Sequence, residues 1–150
     1  MAYTFISGAT GGIGKAFSEA VAKTGAEMFV TGRSEEKLAA LKEELSSLGA
    51  ADVKYFVCDL TSEKNRREMY AFMDDNAVKF DKIINVAGVD TQKGFLAYTE
   101  EKLLFQLRVN AEATTDITYS LLKRRAEGKT SVITVASMSG AQPMPYFALY

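Results

Sequence analysis

"YTFISGATGGIGKAFSEAVAKTG", residues 3–25, begins as an apolar strand, turns through Gly8, Gly11, Gly12 and Gly14, and continues as a helix with Phe17, Ala20 and Val21 at helical spacing. In such a turn, glycines let the backbone approach a pyrophosphate closely. The helix N-terminus adds free N–H groups and positive potential. A turn that only joins strand to helix would also use glycine, so the phosphate reading rests on the strand–turn–helix setting.

The same alternation repeats down the chain. "EMFVT" (27–31), "VKYFVCD" (53–59), "KIINVAG" (82–88) and "TSVITVAS" (130–137) read as further strands. Between them, "SEEKLAALKEELSSLG" places Leu38, Leu41, Leu45 and Leu48 on one helix face, with Ser34 placed to cap it and Gly49 to end it. "SEKNRREMYAFMDDN" predicts a third helix, and a long fourth one is expected from Thr99 to about Glu127. Gly140, Pro143 and Pro145 then form a loop, and "YFALY" (146–150) reads as a first helical turn. Strand–helix alternation with near-continuous apolar strands predicts an α/β, Rossmann-like doubly wound parallel sheet with helices on both faces. Crossovers should be right-handed. No linker or repeat divides the chain, so residues 1–150 are expected to form a single nucleotide-binding domain.

Composition narrows the chemistry. With 150 residues, a net charge of −1 and no basic block, the chain carries no electrostatic footprint for nucleic acid. It has no apolar run that could span a bilayer and no signal segment at its start, so no membrane partner is expected and a soluble cytoplasmic protein is the default reading. The single cysteine, Cys58, excludes an internal disulfide and reads as a small buried hydrophobe. Without histidine, neither a zinc site nor histidine-based nucleophilic catalysis is expected, and no metal is assigned.

The second strand ends "VTGRSEE". A carboxylate at the end of this strand would favour a free ribose 2′-hydroxyl, but Gly32 stands there and Arg33 follows. A guanidinium can hold a 2′-phosphate through charge-assisted bonds, and Ser34 can add its hydroxyl. NADP(H) is therefore the expected cofactor.

Gly8, Gly12 and Gly14, with Ser7 in the threonine place, give T-G-x-x-x-G-x-G, which resembles the short-chain dehydrogenase/reductase family. Gly8, Gly11 and Gly14 also fit the wider spacing of that superfamily's extended branch, so the turn alone does not choose between them. "NVAG" (85–88) resembles the family's N-N-A-G and favours the short type, with Val86 replacing the second asparagine. The resemblance implies cofactor contacts from Ser7, Gly8, Thr10, Gly12, Ile13 and Gly14 in the turn, and from Asn85, Ala87 and Gly88 after the fourth strand. It also implies that Asp59 reaches the adenine edge with Leu60 beside it; capping of the following helix by Asp59 is an equal reading.

"VASMSG" resembles the family's I-S-S-x-x-G, aligning Ser137 with the catalytic serine and Tyr150, thirteen residues on, with the catalytic tyrosine. Asn110, in "LRVNAEA", matches an asparagine that helps hold the catalytic lysine through water, although a bridging amide is the plainer reading. Tyr146 lies nine residues from Ser137 and reads as a packing residue. The implied chemistry is transfer of hydride between nicotinamide and a small carbonyl or alcohol substrate, with the serine orienting the oxygen and the phenol supplying the proton. The family's lysine, four residues after the tyrosine, would fall beyond Tyr150. The chain is therefore expected to match the N-terminal part of a family member, to be catalytically impaired alone, and to self-associate through bared apolar residues such as Ile133, Val135, Phe147 and Leu149. The alternatives are a non-catalytic NADP-binding or interaction module and an extended-type epimerase or dehydratase.

Overall fold

The computed structural model describes residues 2–150. Five strands, β1 (Tyr3–Ile6), β2 (Glu27–Gly32), β3 (Asp52–Val57), β4 (Phe80–Asn85) and β5 (Ser131–Thr134), form one sheet in the order β3-β2-β1-β4-β5. Every pairing is parallel. The chain runs outward from β1 to β3, then crosses back to lay β4 on the other side of β1. This reversal leaves a crevice at the carboxyl ends of β1 and β4, where open α/β sheets bind ligands.

The strand pleat sorts the core into two layers. Phe5, Phe29, Phe80 and Ile83 point to one face, against Met69, Tyr70 and Met73 of α3 (Glu63–Asp75) and Ile117 and Leu121 farther on. Ile6, Met28, Val30 and Ile84 point to the other, against α1 (Gly12–Ala22) and α2 (Glu35–Ser47). Neighbouring residues such as Phe5 and Ile6 serve opposite layers, as the two-residue period of a strand requires.

The α2 reading holds except at Leu48, which closes the helix as its half-buried C-cap. Leu38, Leu41 and Leu45 are buried, the Ser34 hydroxyl accepts from the Lys37 N–H, and Gly49 follows at φ +108°. In α1 the buried stripe is Gly14, Ser18 and Ala22, while Ala20 is exposed. Small residues face inward because the helix lies against the glycine turn itself, with Phe17 and Val21 only partly covered.

The fourth helix departs from expectation. It comprises α4 (Glu100–Leu107), a π-helical segment (Arg108–Ala113) and α5 (Thr114–Leu122). It stops five residues short of Glu127, because Arg124 and Ala126 exchange backbone hydrogen bonds with Phe80 at the start of β4. Tertiary pairing overrides a sequence that is locally helix-compatible. Nor is residues 146–150 a helical turn. Tyr146 lies at φ +68°, its carbonyl accepts from the Lys93 N–H, and isolated turns close at Phe147 and Tyr150. Its side chain is 63% exposed, so Tyr146 acts through its backbone and not by packing. On β5, Val132 and Ile133 are exposed; Val135, Phe147 and Leu149 are half-buried.

Candidate functional site: a glycine-floored cleft

A cavity of about 470 Å³ opens at the carboxyl ends of β1 and β4. Its floor is the glycine turn, with Gly8, Thr10, Gly11, Gly12, Ile13 and Gly14 all lining it. Gly8 takes φ +63°, and a Cβ there would lie 2.9 Å from the Ala87 Cα, so backbone must meet backbone at this point. A Cβ on Gly14 would land on the Gly8 carbonyl oxygen. Glycine is therefore required at both positions. By contrast Gly12, the first residue of α1, has nothing within 4 Å of such a Cβ and faces open space. Free N–H groups at the start of α1 suit an anion.

Ser7 and Asn85 do not line the cavity; they brace it. The Ser7 hydroxyl accepts from the N–H groups of Val86 (3.1 Å) and Ala87 (3.2 Å), tying the end of β4 to β1. The buried Asn85 amide donates to Thr118 (2.9 Å) and is within reach of Thr134 (3.4 Å). Ala87 and Gly88 do line the cavity, together with Val86 and Val89.

At the end of β2, Gly32 and Arg33 line the cavity, and a Cβ on Gly32 would sit 3.1 Å from the Thr10 hydroxyl. Ser34 does not line it, since its side chain caps α2. Lys37 does, one turn into that helix. Both cations are exposed, and among the described residues neither forms an ion pair. Lys37 escaped the sequence reading, although its place one turn after a capping serine beside Arg33 was a usable signal.

Cys58, Asp59 and Leu60 follow β3 along another side of the cavity. Asp59 does not cap α3; Ser62 does, accepting from the Asn65 N–H. The Asp59 carboxylate instead holds both the N–H and hydroxyl of Thr61. Burial pushes the Cys58 thiol up to about 12, so it stays protonated at neutral pH and behaves as a hydrophobe. Phe105 and Val109 complete the wall from the fourth helix; neither was expected, because nothing local distinguishes them from core residues.

Both polar atoms of the Asn110 amide bond to one residue. Its Oδ1 accepts from the Val89 N–H and its Nδ2 donates to the Val89 carbonyl, both at 2.8 Å. It thus clamps the loop after β4 from within the π-helical segment. Ser137 and Tyr150 lie outside the cavity lining. The Ser137 hydroxyl donates to that of Ser139 at 3.0 Å, and the Tyr150 ring packs against Phe147 with centroids 6.1 Å apart. Both residues are exposed.

One turn before Asn110, Gln106 is 2% exposed, and among the described residues neither its Oε1 nor its Nε2 finds a partner. Burying an unpaired amide costs about 1–3 kcal/mol. Gln106→Met, which keeps length and flexibility, is expected to stabilise the chain by about 1 kcal/mol and raise Tm by roughly 2–4 °C. A lower melting temperature by calorimetry would show that the amide is satisfied.

A family model described as short chain dehydrogenase matches residues 2–150. The chain is 30% identical to a very-long-chain 3-oxoacyl-CoA reductase of Kluyveromyces lactis, over 99% of this chain and 45% of that protein. It is 28% identical to the human inactive hydroxysteroid dehydrogenase-like protein 1, over 99% of this chain and 46% of that one. L-sorbose reductase from Gluconobacter frateurii, solved with NADPH and L-sorbose, shares the fold with a TM-score of 0.92 at 23% identity, over 99% of this chain and 57% of that one. The chain thus spans about half the length of the curated relatives it matches. No helix among the described residues is long and apolar enough to cross a membrane. Because the match runs from residue 2 to residue 150, through every element that walls the cleft, the chain belongs to the short-chain dehydrogenase family of oxidoreductases.

Proposed function

We propose that the chain carries the NADP(H)-binding part of a short-type reductase or alcohol dehydrogenase, together with its serine–tyrosine pair. The observation that carries this reading is the cleft itself. Its glycine floor requires bare backbone at Gly8 and Gly14, and two cations that form no ion pair among the described residues, Arg33 and Lys37, stand beside the place where a carboxylate would select NAD. The turn and the start of α1 hold the pyrophosphate, Arg33 and Lys37 the 2′-phosphate, and Asp59 the adenine edge. Bound there, the cofactor supplies hydride exchange with a carbonyl or alcohol. Ser137 orients the substrate oxygen and the Tyr150 phenol holds the proton that this oxygen takes up. A phenol exchanges a proton more readily at neutral pH when a cation stands nearby to stabilise the phenolate. Self-association belongs to the same proposal, given the exposed Val132 and Ile133 on β5.

The experiment is NADPH titration combined with NADPH-dependent turnover on a ketone panel. Micromolar binding with weak turnover that Tyr150→Phe abolishes is expected. Robust turnover would refute the impairment, and absence of binding would refute the nucleotide reading. A relative named inactive supports a second reading, a nucleotide-binding module without catalysis. In that case residual turnover is absent, or unchanged in Tyr150→Phe.

A further inference from the structure

Arg66 and Arg67 are neighbours on α3 with opposite fates. Arg67 is exposed and pairs with Glu63 one turn back, an ordinary surface bridge. Arg66 is 2% exposed, and each of its three guanidinium nitrogens donates a hydrogen bond. Nη1 donates to the Leu60 carbonyl, Nη2 to Glu112 Oε1 at 2.6 Å, and Nε to Asp116 Oδ2 at 2.7 Å. Leu60 ends the β3 side of the cleft; Glu112 lies in the π-helical segment and Asp116 in α5. The same helix places Phe105 and Val109 on the cleft. One buried, planar guanidinium therefore bridges the two sides of the cleft that bring Leu60 and Val109 to its lining. Arg66 does not itself line the cavity, so it reaches a ligand only through these neighbours.

A fork of fixed geometry holds its partners at fixed separations, which a lysine ammonium does not reproduce. We propose that Arg66 is a positioning residue for the purine of a bound nucleotide: it fixes the gap between Leu60 and the Phe105–Val109 surface, apolar walls suited to a flat heterocycle, with the Asp59 carboxylate at its edge. The proposal rests on the nucleotide reading above. It adds that the base-binding increment, and not phosphate binding, depends on a residue the base never touches.

The test compares two probes by calorimetric titration: 2′,5′-ADP, and ribose 2,5-bisphosphate, which lacks the base. In Arg66→Lys, which keeps the charge and loses the fork, affinity for 2′,5′-ADP is expected to fall about tenfold, the worth of roughly 1.4 kcal/mol of lost fit, while that for ribose 2,5-bisphosphate stays within about twofold. Glu112→Gln keeps Arg66 bonded to Leu60 and Asp116 and removes one charge-assisted contact at a half-exposed position. It should show the same split at about threefold, and it decides the matter if Arg66→Lys fails to fold by circular dichroism. Equal weakening of both probes, or unchanged 2′,5′-ADP binding in the folded variants, overturns the positioning role alone. If wild-type chain binds neither probe, the nucleotide reading falls and this proposal with it.

Discussion

Arg33→Ala is expected to weaken NADPH binding by roughly 10- to 100-fold while leaving NADH affinity within about a factor of three. The range follows from charge-assisted hydrogen bonds worth about 1.5–3 kcal/mol and tenfold per 1.4 kcal/mol. Arg33 is exposed and lines the cleft without an ion-pair partner among the described residues, so no internal contact is lost with it. Lys37 remains to supply residual attraction, which keeps the loss below what two cations together provide. Introducing an acid at position 32 is not a simple reversal, because a Cβ there would sit 3.1 Å from the Thr10 hydroxyl. Fluorescence titration with both nucleotides measures the preference directly. Equal affinity of the wild-type chain for NADPH and NADH would remove the case for a 2′-phosphate site.

A pair of alanine substitutions two residues apart should separate folding from binding. Gly14→Ala drives a methyl onto the Gly8 carbonyl, with the carbonyl carbon at 2.8 Å and the Ala9 Cα at 3.0 Å. Backbone cannot yield as a flexible side chain does, so α1 must lift from the turn. The cost should reach about 3 kcal/mol, a fall in Tm of roughly 6–12 °C for a chain of this size. Gly12→Ala meets nothing within 4 Å and replaces a poor helix former at the first helical position, so Tm should hold or rise slightly. The methyl stands in the cleft that Gly12 lines, however, and NADPH affinity should drop about tenfold, the equivalent of roughly 1.4 kcal/mol. Thermal melts and titrations on both variants check the split. A Gly12→Ala chain that binds as well as wild type would place the phosphate elsewhere.

The parts of this molecule that could be read in advance are those where local pattern and tertiary demand coincide. All five strands were visible because a sheet covered on both faces needs unbroken apolar runs, and "EMFVT" and "KIIN" have no other use. The glycine turn was visible because close backbone approach excludes side chains at particular positions. Residues whose roles depend on a distant partner were not visible. Nothing in "NRREM" separates Arg66 from Arg67, and only the arrival of Glu112 and Asp116 decides which is buried. The end of the fourth helix was misplaced for the same reason, since Phe80 claims the backbone of Arg124 and Ala126. Asp59 and Ser34 were each given two plausible tasks, and the structure divides them: Ser34 caps, and Asp59 stays at the cleft. Phe105 and Val109 look like core residues, and only the packing of their helix against the loop after β4 turns them toward the cavity.

The π-helical segment has a geometric consequence of its own. Along the fourth helix, the inward residues Val109, Ala113, Ile117 and Leu121 recur every four positions. An α-helix repeats every 3.6, so each such step overshoots by about 40° and the inward stripe would creep around the axis. The widened turn at Arg108–Ala113 winds it back, acting as a phase corrector between two straight lengths. It accommodates one surplus residue without turning either end away from the sheet. A relative lacking one residue here could close the turn to ordinary α geometry and keep both faces aligned. What it would give up is the local widening from which Asn110 grips Val89.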